Sequence, residues 1–146
     1  GAVVAALELE VVTRTGPVVR EAVDEVQAPS VAGEFGVLPG HVPLLAALRA
    51  GLLTYRVGGT AHRLAIGPGF AEVLPDRVLI LVDRCAKASD LDRDSARTQL
   101  EAAQGDLDEL VRSGVIDGVQ VDDARALVDY TRAQLELVDG PGHTIH

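Results

Sequence analysis

Few residues in this chain have chemistry to offer, and the two that stand out lie seven positions apart. Glu34 and His41 fall in 33-GEFGVLPGHVPLL-45, a stretch that also holds Gly33, Gly36, Pro39, Gly40 and Pro43. A carboxylate and an imidazole can share general acid/base work, but that needs a pocket, matched pKa values and a third polar group to orient the ring. No Ser, Cys or Asp stands in this stretch to do so. The same residues could be solvated loop positions, or parts of a preorganised contact surface. The prolines and glycines favour the contact surface, because they restrict the backbone to one shape before any partner arrives.

Other candidate chemistry dissolves on spacing. Metal binding needs several converging ligands. His62 sits in a strand-like segment, His143 and His146 in the tail 140-GPGHTIH-146, and Cys85 has no second cysteine, so no metal site is expected. Gly67-Pro68-Gly69 lacks the lysine and the following helix of a phosphate loop and reads as a hairpin turn. In the acidic run from Asp117 to Asp123, Val119 and Val121 fall where calcium requires oxygen. That run reads as a loop and helix start, with Asp122 or Asp123 near the positive end of the helix dipole.

The elements that must position these residues follow from composition and period. Of 146 residues, 47% are hydrophobic and 3% aromatic, with no Trp or Met, so a core must be built from Val, Leu, Ile and Ala. That composition argues against stacking platforms for bases or sugars. The net charge of -9 is uneven: residues 1–87 carry 9 acids and 8 bases, residues 88–146 carry 13 and 5. A step of that size near Lys87 marks a domain boundary, and neither half has the clustered cations that nucleic acid demands. A single cysteine excludes an internal disulfide and suits a reducing compartment. No apolar run reaches membrane-spanning length, and the start GAVVAALELE lacks a secretory pattern, so a soluble, intracellular protein is expected.

From Leu7 to Arg84 apolar and polar residues alternate over short spans, the mark of half-buried strands. Strands are expected at 18–20, 22–28, 34–38, 44–48, 52–57, 62–66, 70–74 and 78–83 after 7-LELEV-11, with Gly58-Gly59 as a tight hairpin. That many short strands predict a sandwich or flattened barrel. After Ser89 the period becomes three and four, in Leu100, Ala103, Leu107 and Leu110 and again in Ala124, Leu127, Val128, Thr131 and Leu135. Ser89 or Asp90 is expected to cap the first helix. The break 113-SGVIDG-118 then predicts an antiparallel helical hairpin. The division is 1–87 for the strand domain, 88–139 for the hairpin and 140–146 for a flexible tail.

The order of these parts, and the run 34-EFGVLPGHVPLLAALRAG-51 above all, resembles the epsilon subunit of F-type rotary ATP synthases. The likeness extends from 7-LELEVVT-13 through 67-GPGFAEV-73 to 90-DLDRDSA-96 and 125-RALVDYTRAQL-135. It implies an N-terminal ten-stranded antiparallel β-sandwich, a C-terminal two-helix hairpin and no catalytic activity. It further implies that the sandwich holds the gamma subunit along one side and rests on the polar loops of the c ring, with alpha and beta subunits in reach of the hairpin. Glu34, His41 and Val42 match the c-ring contact, and Gly33, Gly36, Pro39, Gly40 and Pro43 the stiff loop through which torque passes. The implied location is peripheral, on the cytoplasmic side of the inner membrane or its organelle equivalent, without lipid insertion.

Some members of that family hold the hairpin folded by binding ATP through a D-x-x-R-A motif on the first helix and arginines on the second. In 92-DRDSA-96, Asp92 and Ala96 fit but Ser95 takes the arginine position; Arg132 matches on the second helix, and Glu136 stands one turn later. A triphosphate needs cations, so ATP binding is expected to be weak or absent, with no cofactor. The hairpin's excess of acids likewise argues against strong inhibition through acidic partner segments. Two other classes fit less. A free-standing β-sandwich interaction protein with a dimerisation hairpin does not require the loop at 34–45, and a hydrolase lacks a paired nucleophile and base.

Overall fold

Alternation produces ten strands, β1 (Leu7–Thr13), β2 (Gly16–Val23), β3 (Glu25–Ser30), β4 (Gly33–Val37), β5 (Leu44–Leu48), β6 (Gly51–Val57), β7 (Thr60–Ile66), β8 (Gly69–Leu74), β9 (Arg77–Val82) and β10 (Cys85–Ala86). A 3₁₀ turn at Ala88–Asp90 leads to helices α1 (Arg93–Arg112) and α2 (Gly118–Asp139). The computed structural model describes residues 6–114 and 117–140; the expected tail at 140–146 falls, past Gly140, outside them.

The strands join in the order β10-β7-β6-β3-β5-β8-β9-β1-β2, with β4 added on β3. Every pairing is antiparallel except β1 with β9. The path folds over at β3, which pairs with β6 through Glu25–Gln27 and with β5 only at Ser30 opposite Leu48. Between the two layers lies the main core, where Leu7, Leu9, Val11, Leu53, Ile66, Val73 and Ile80 lose essentially all contact with water. Each such side chain stabilises the fold by about 1.5–3 kcal/mol through burial.

Helix α2 covers part of the outer face of the second layer. Ala50, Ala65 and Ala86 point away from the main core and meet Tyr130, Ala133 and Leu137 of α2, with Leu52 and Leu91 at the margin. The Arg84 guanidinium lies 5.5 Å from the centre of the Tyr130 ring, a cation-π contact. Helix α1 packs on α2 and buries Ala96 and Ala103, while Arg93 and Asp139 pair at 2.8 Å to tie the start of α1 to the end of α2. The hairpin therefore rests folded against the sandwich. One polar atom in it, Gln134 Oε1, is buried without a partner.

Four local readings change. The span 22–28 is two strands, because the Asp24 N–H donates to the Arg56 carbonyl (2.8 Å) while its carboxylate accepts from the Gly58 N–H (2.7 Å). These bonds pin a bend at which the chain leaves β1 for β6. Gly67-Pro68-Gly69 is no hairpin turn, since β7 and β8 do not pair; it carries the chain from one layer to the other. A Cβ at Gly69 would run into the Leu81 backbone carbonyl, so this crossing needs glycine there, whereas one at Gly67 would meet the Asp83 carboxylate, a side chain able to swing aside. Asp92, not Ser89 or Asp90, caps α1 by accepting from the Ser95 N–H at 3.0 Å. Asp117 caps α2, which leaves Asp122 and Asp123 inside the helix.

The crossing generates a test. Gly69→Ala should lower the unfolding free energy by about 1–3 kcal/mol in urea titration, because backbone must move to admit the methyl group. Gly36→Ala, where a Cβ would meet only Gln27 Cγ at 4.0 Å, should change it far less.

Candidate functional site

The stretch from Gly33 to Leu45 is built as strand, loop and strand. At its start the Ser30 hydroxyl donates to the Gly33 carbonyl (2.6 Å) and accepts from the Ala32 N–H (3.1 Å), closing the turn in which Gly33 takes φ +121°. Gly33 and Gly36 lie within β4, opposite Ser30 and Gln27, so the loop proper is 38–43. There Gly40 takes φ +85°, its N–H donates to the Pro75 carbonyl at 2.7 Å, and the His41 N–H donates to the Leu38 carbonyl at 3.2 Å. The fixed φ of Pro39 and Pro43 completes a loop held from several sides.

Glu34 and His41 do not form an acid/base pair. Glu34 is at the beginning of β4 and His41 beyond its end, and the extended chain from Glu34 to Leu38 alone spans about 13 Å. His41 Nδ1 lies 2.6 Å from the Val42 carbonyl oxygen. A carbonyl only accepts, so Nδ1 carries the proton and Nε2 is left for solvent or a partner. Glu34 instead borders a cavity of about 440 Å³ shared with Arg49 and with Asp129, Arg132 and Glu136 of α2.

What surrounds His41 is apolar and uncovered. Leu38, Val42 and Leu45 are 58%, 71% and 72% exposed. Beside them an apolar row crosses four strands on the outer face of the other layer, running Ala47, Phe70, Leu81, Val12 in direct cross-strand register. Phe70 and Leu81 remain 56% and 46% exposed. A contiguous patch of this kind marks a surface meant to be covered. Sequence reasoning passed over Phe70 and Leu81, although their positions alternate with the buried Ala71 and Val73 and with Val78, Ile80 and Val82.

The hairpin positions that the resemblance assigns to a nucleotide have other engagements. Asp92 is occupied as the α1 cap, Ser95 is exposed, and Ala96 is buried. Arg132 pairs with Asp129 at 3.6 Å and borders the Glu34 cavity, to which none of these α1 residues contributes.

His62 stacks on Tyr55 with ring centres 5.1 Å apart. Among the described residues no group of three or more His, Cys, Asp or Glu could hold a metal ion; His143 and His146 lie outside those residues. Cys85 is half-buried, and burial pushes its thiol up from 9.0 to about 11, against a smaller opposing pull from Lys87.

Residues 6–88 match the family described as ATP synthase, Delta/Epsilon chain, beta-sandwich domain. The chain is 43% identical over 131 residues to the ATP synthase epsilon chain of Solibacter usitatus, covering 90% of this chain and 92% of the relative. It is 40% identical over 127 residues to the ATP synthase epsilon chain of Nitratidesulfovibrio vulgaris, covering 87% and 90%. Among solved structures it superposes on a chain of the Euglena gracilis mitochondrial ATP synthase OSCP/F1/c-ring assembly with TM-score 0.70 and 23% identity, over 93% of this chain and 82% of that one. At that identity the likeness speaks to the fold.

The raised thiol pKa predicts slow alkylation of Cys85. At pH 8 iodoacetamide should react about a hundredfold more slowly with the folded chain than with the urea-unfolded chain, because the thiolate is that much scarcer. Since the folded pKa lies above the unfolded one, the thiol's contribution to stability is complete below about pH 9 and is lost as pH rises through about 11. Equal alkylation rates in the two states would contradict this.

Proposed function

From the premise that the chain belongs to the ATP synthase epsilon-chain family, we propose how its surfaces are used. It is the non-catalytic, central-stalk epsilon subunit of a rotary ATP synthase, and the rival reading as a free-standing interaction protein falls away. The apolar row of Phe70 and Leu81, continued by Leu45, is the seat of the gamma subunit. The exposed row carries this reading, because nothing among the described residues covers it. Glu34, His41 and Val42 meet the c ring. The loop suits that task because its hydrogen bonds to Pro75 and Leu38 hold its shape when it is pushed.

The hairpin regulates, in reach of the alpha and beta subunits, and binds ATP weakly or not at all. The use of Asp92 as the α1 cap, a serine at position 95 and the carboxylates around Arg132 support this reading. The subunit sits peripherally on the cytoplasmic side of the inner membrane or its organelle equivalent. Among the described residues no helix is long and apolar enough to cross a membrane.

Gel filtration with purified gamma should give a one-to-one complex. Phe70→Asp or Leu81→Asp should weaken it tenfold or more, roughly 1.4 kcal/mol, as expected for a central apolar anchor. Val42→Asp should leave gamma binding intact while lowering ATP-driven ion pumping relative to hydrolysis. Unchanged gamma binding by both aspartate variants of the row would remove the proposed seat. In calorimetry with the isolated chain, ATP should give no tight stoichiometric heat; a sharp one-to-one isotherm would contradict the hairpin reading.

A further inference from the structure

The hairpin half of the chain carries 13 acids against 5 bases, yet it rests on its own sandwich through a thin apolar seam. Three alanines of the sandwich, with Leu52 beside them, meet Tyr130, Ala133 and Leu137. Small side chains bury little area, and the partnerless Gln134 Oε1 counts against the docked arrangement. The charges on either flank of α2 are better matched. On one side a cavity of about 440 Å³ brings Arg14 and Arg84 of the sandwich to Asp123 of α2. On the other, a second of about 440 Å³ is lined by Arg49 and Glu34 of the sandwich and by Asp129, Arg132 and Glu136 of α2, with Arg132 and Asp129 paired at 3.6 Å. Asp83, a sandwich acid on the first flank, is engaged by Arg84 at 3.8 Å.

Among the described residues no ion pair of 4.0 Å or less crosses either cavity. The attraction therefore acts across intervening space and is open to screening, with a Debye length of about 8 Å at physiological salt.

We infer that the sandwich face framed by Arg14, Arg49 and Arg84 is an electrostatic cradle for an acidic helix, that its occupant is this chain's own α2, and that ionic strength sets how long α2 stays there. Glu136, standing where the nucleotide-binding pattern would want a cation, is a docking residue directed at Arg49. The inference rests on the regulatory reading of the hairpin and deepens it. Docking is read on the isolated chain, so its outcome is separate from any effect on ATP hydrolysis.

Hydrogen exchange of the full chain tests the cradle. Raising NaCl from about 0.02 M to about 0.5 M should speed exchange of the α2 amides while those of β1 and β9 stay protected. Glu136→Lys and Arg49→Glu should each speed α2 exchange by about threefold or more at low salt, the scale of one exposed charge pair. The double variant should return toward the parent rate. Asp106→Lys, the same change in charge on the exposed side of α1, should leave the rate as it was. Exchange indifferent to salt, or Asp106→Lys acting as strongly as Glu136→Lys, or a double variant no better than the singles, would each overturn the cradle.

Discussion

An aliphatic layer between two sheets is the constraint to which the remainder of this molecule conforms. Without Trp or Met, the layer is filled by short branched side chains such as Leu9, Val26, Leu53 and Ile80, and well-packed sheets then lie about 10 Å apart. Bringing the sheets that close obliges the chain to cross between them abruptly. The bend at Asp24, the handover at Ser30 and the glycine at 69 all answer that demand. The loop at 38–43 inherits its rigidity from the same source, because its anchor, Pro75, closes the β8–β9 pair. Stiffness at the proposed rotor contact is thus a property of the whole sandwich.

Much of this was visible in residue order. The period of two in Leu7, Leu9 and Val11 named the core face of β1 before any coordinate, and the shift to three and four announced both helices. What stayed hidden depended on partners far along the chain. Asp24 divides a span that reads as one strand because its hydrogen-bond partners are at 56 and 58, and β10 is too short to show a period. Gly67-Pro68-Gly69 looks the same whether it joins paired strands or different layers; only the pairing decides.

The contact surface was legible in part for the same reason. Proline and glycine announce the shape of 33–45 locally, and that segment is where the structure holds its loop. The row formed by Ala47, Phe70, Leu81 and Val12 exists only once four strands are in register. Arg14, Arg49 and Arg84 belong to separate segments, and nothing about their types suggests that they gather along one helix. Ser95 and Glu136 were conspicuous as departures from a family pattern. What Glu136 faces required the fold.

The parallel pairing of β1 with β9 has a consequence for how the chain is made. Residues 8–12 leave the ribosome well ahead of residues 77–81, yet those are their second neighbours. Until those are translated, β1 has only β2 beside it, and its other flank is an open row of amide groups able to pair with a stranger. Closing so long a loop is entropically costly and slow. The nascent subunit must therefore carry an unsealed edge throughout the synthesis of the strands between, and the helices, which emerge after β9, arrive on a sandwich that has only just become whole.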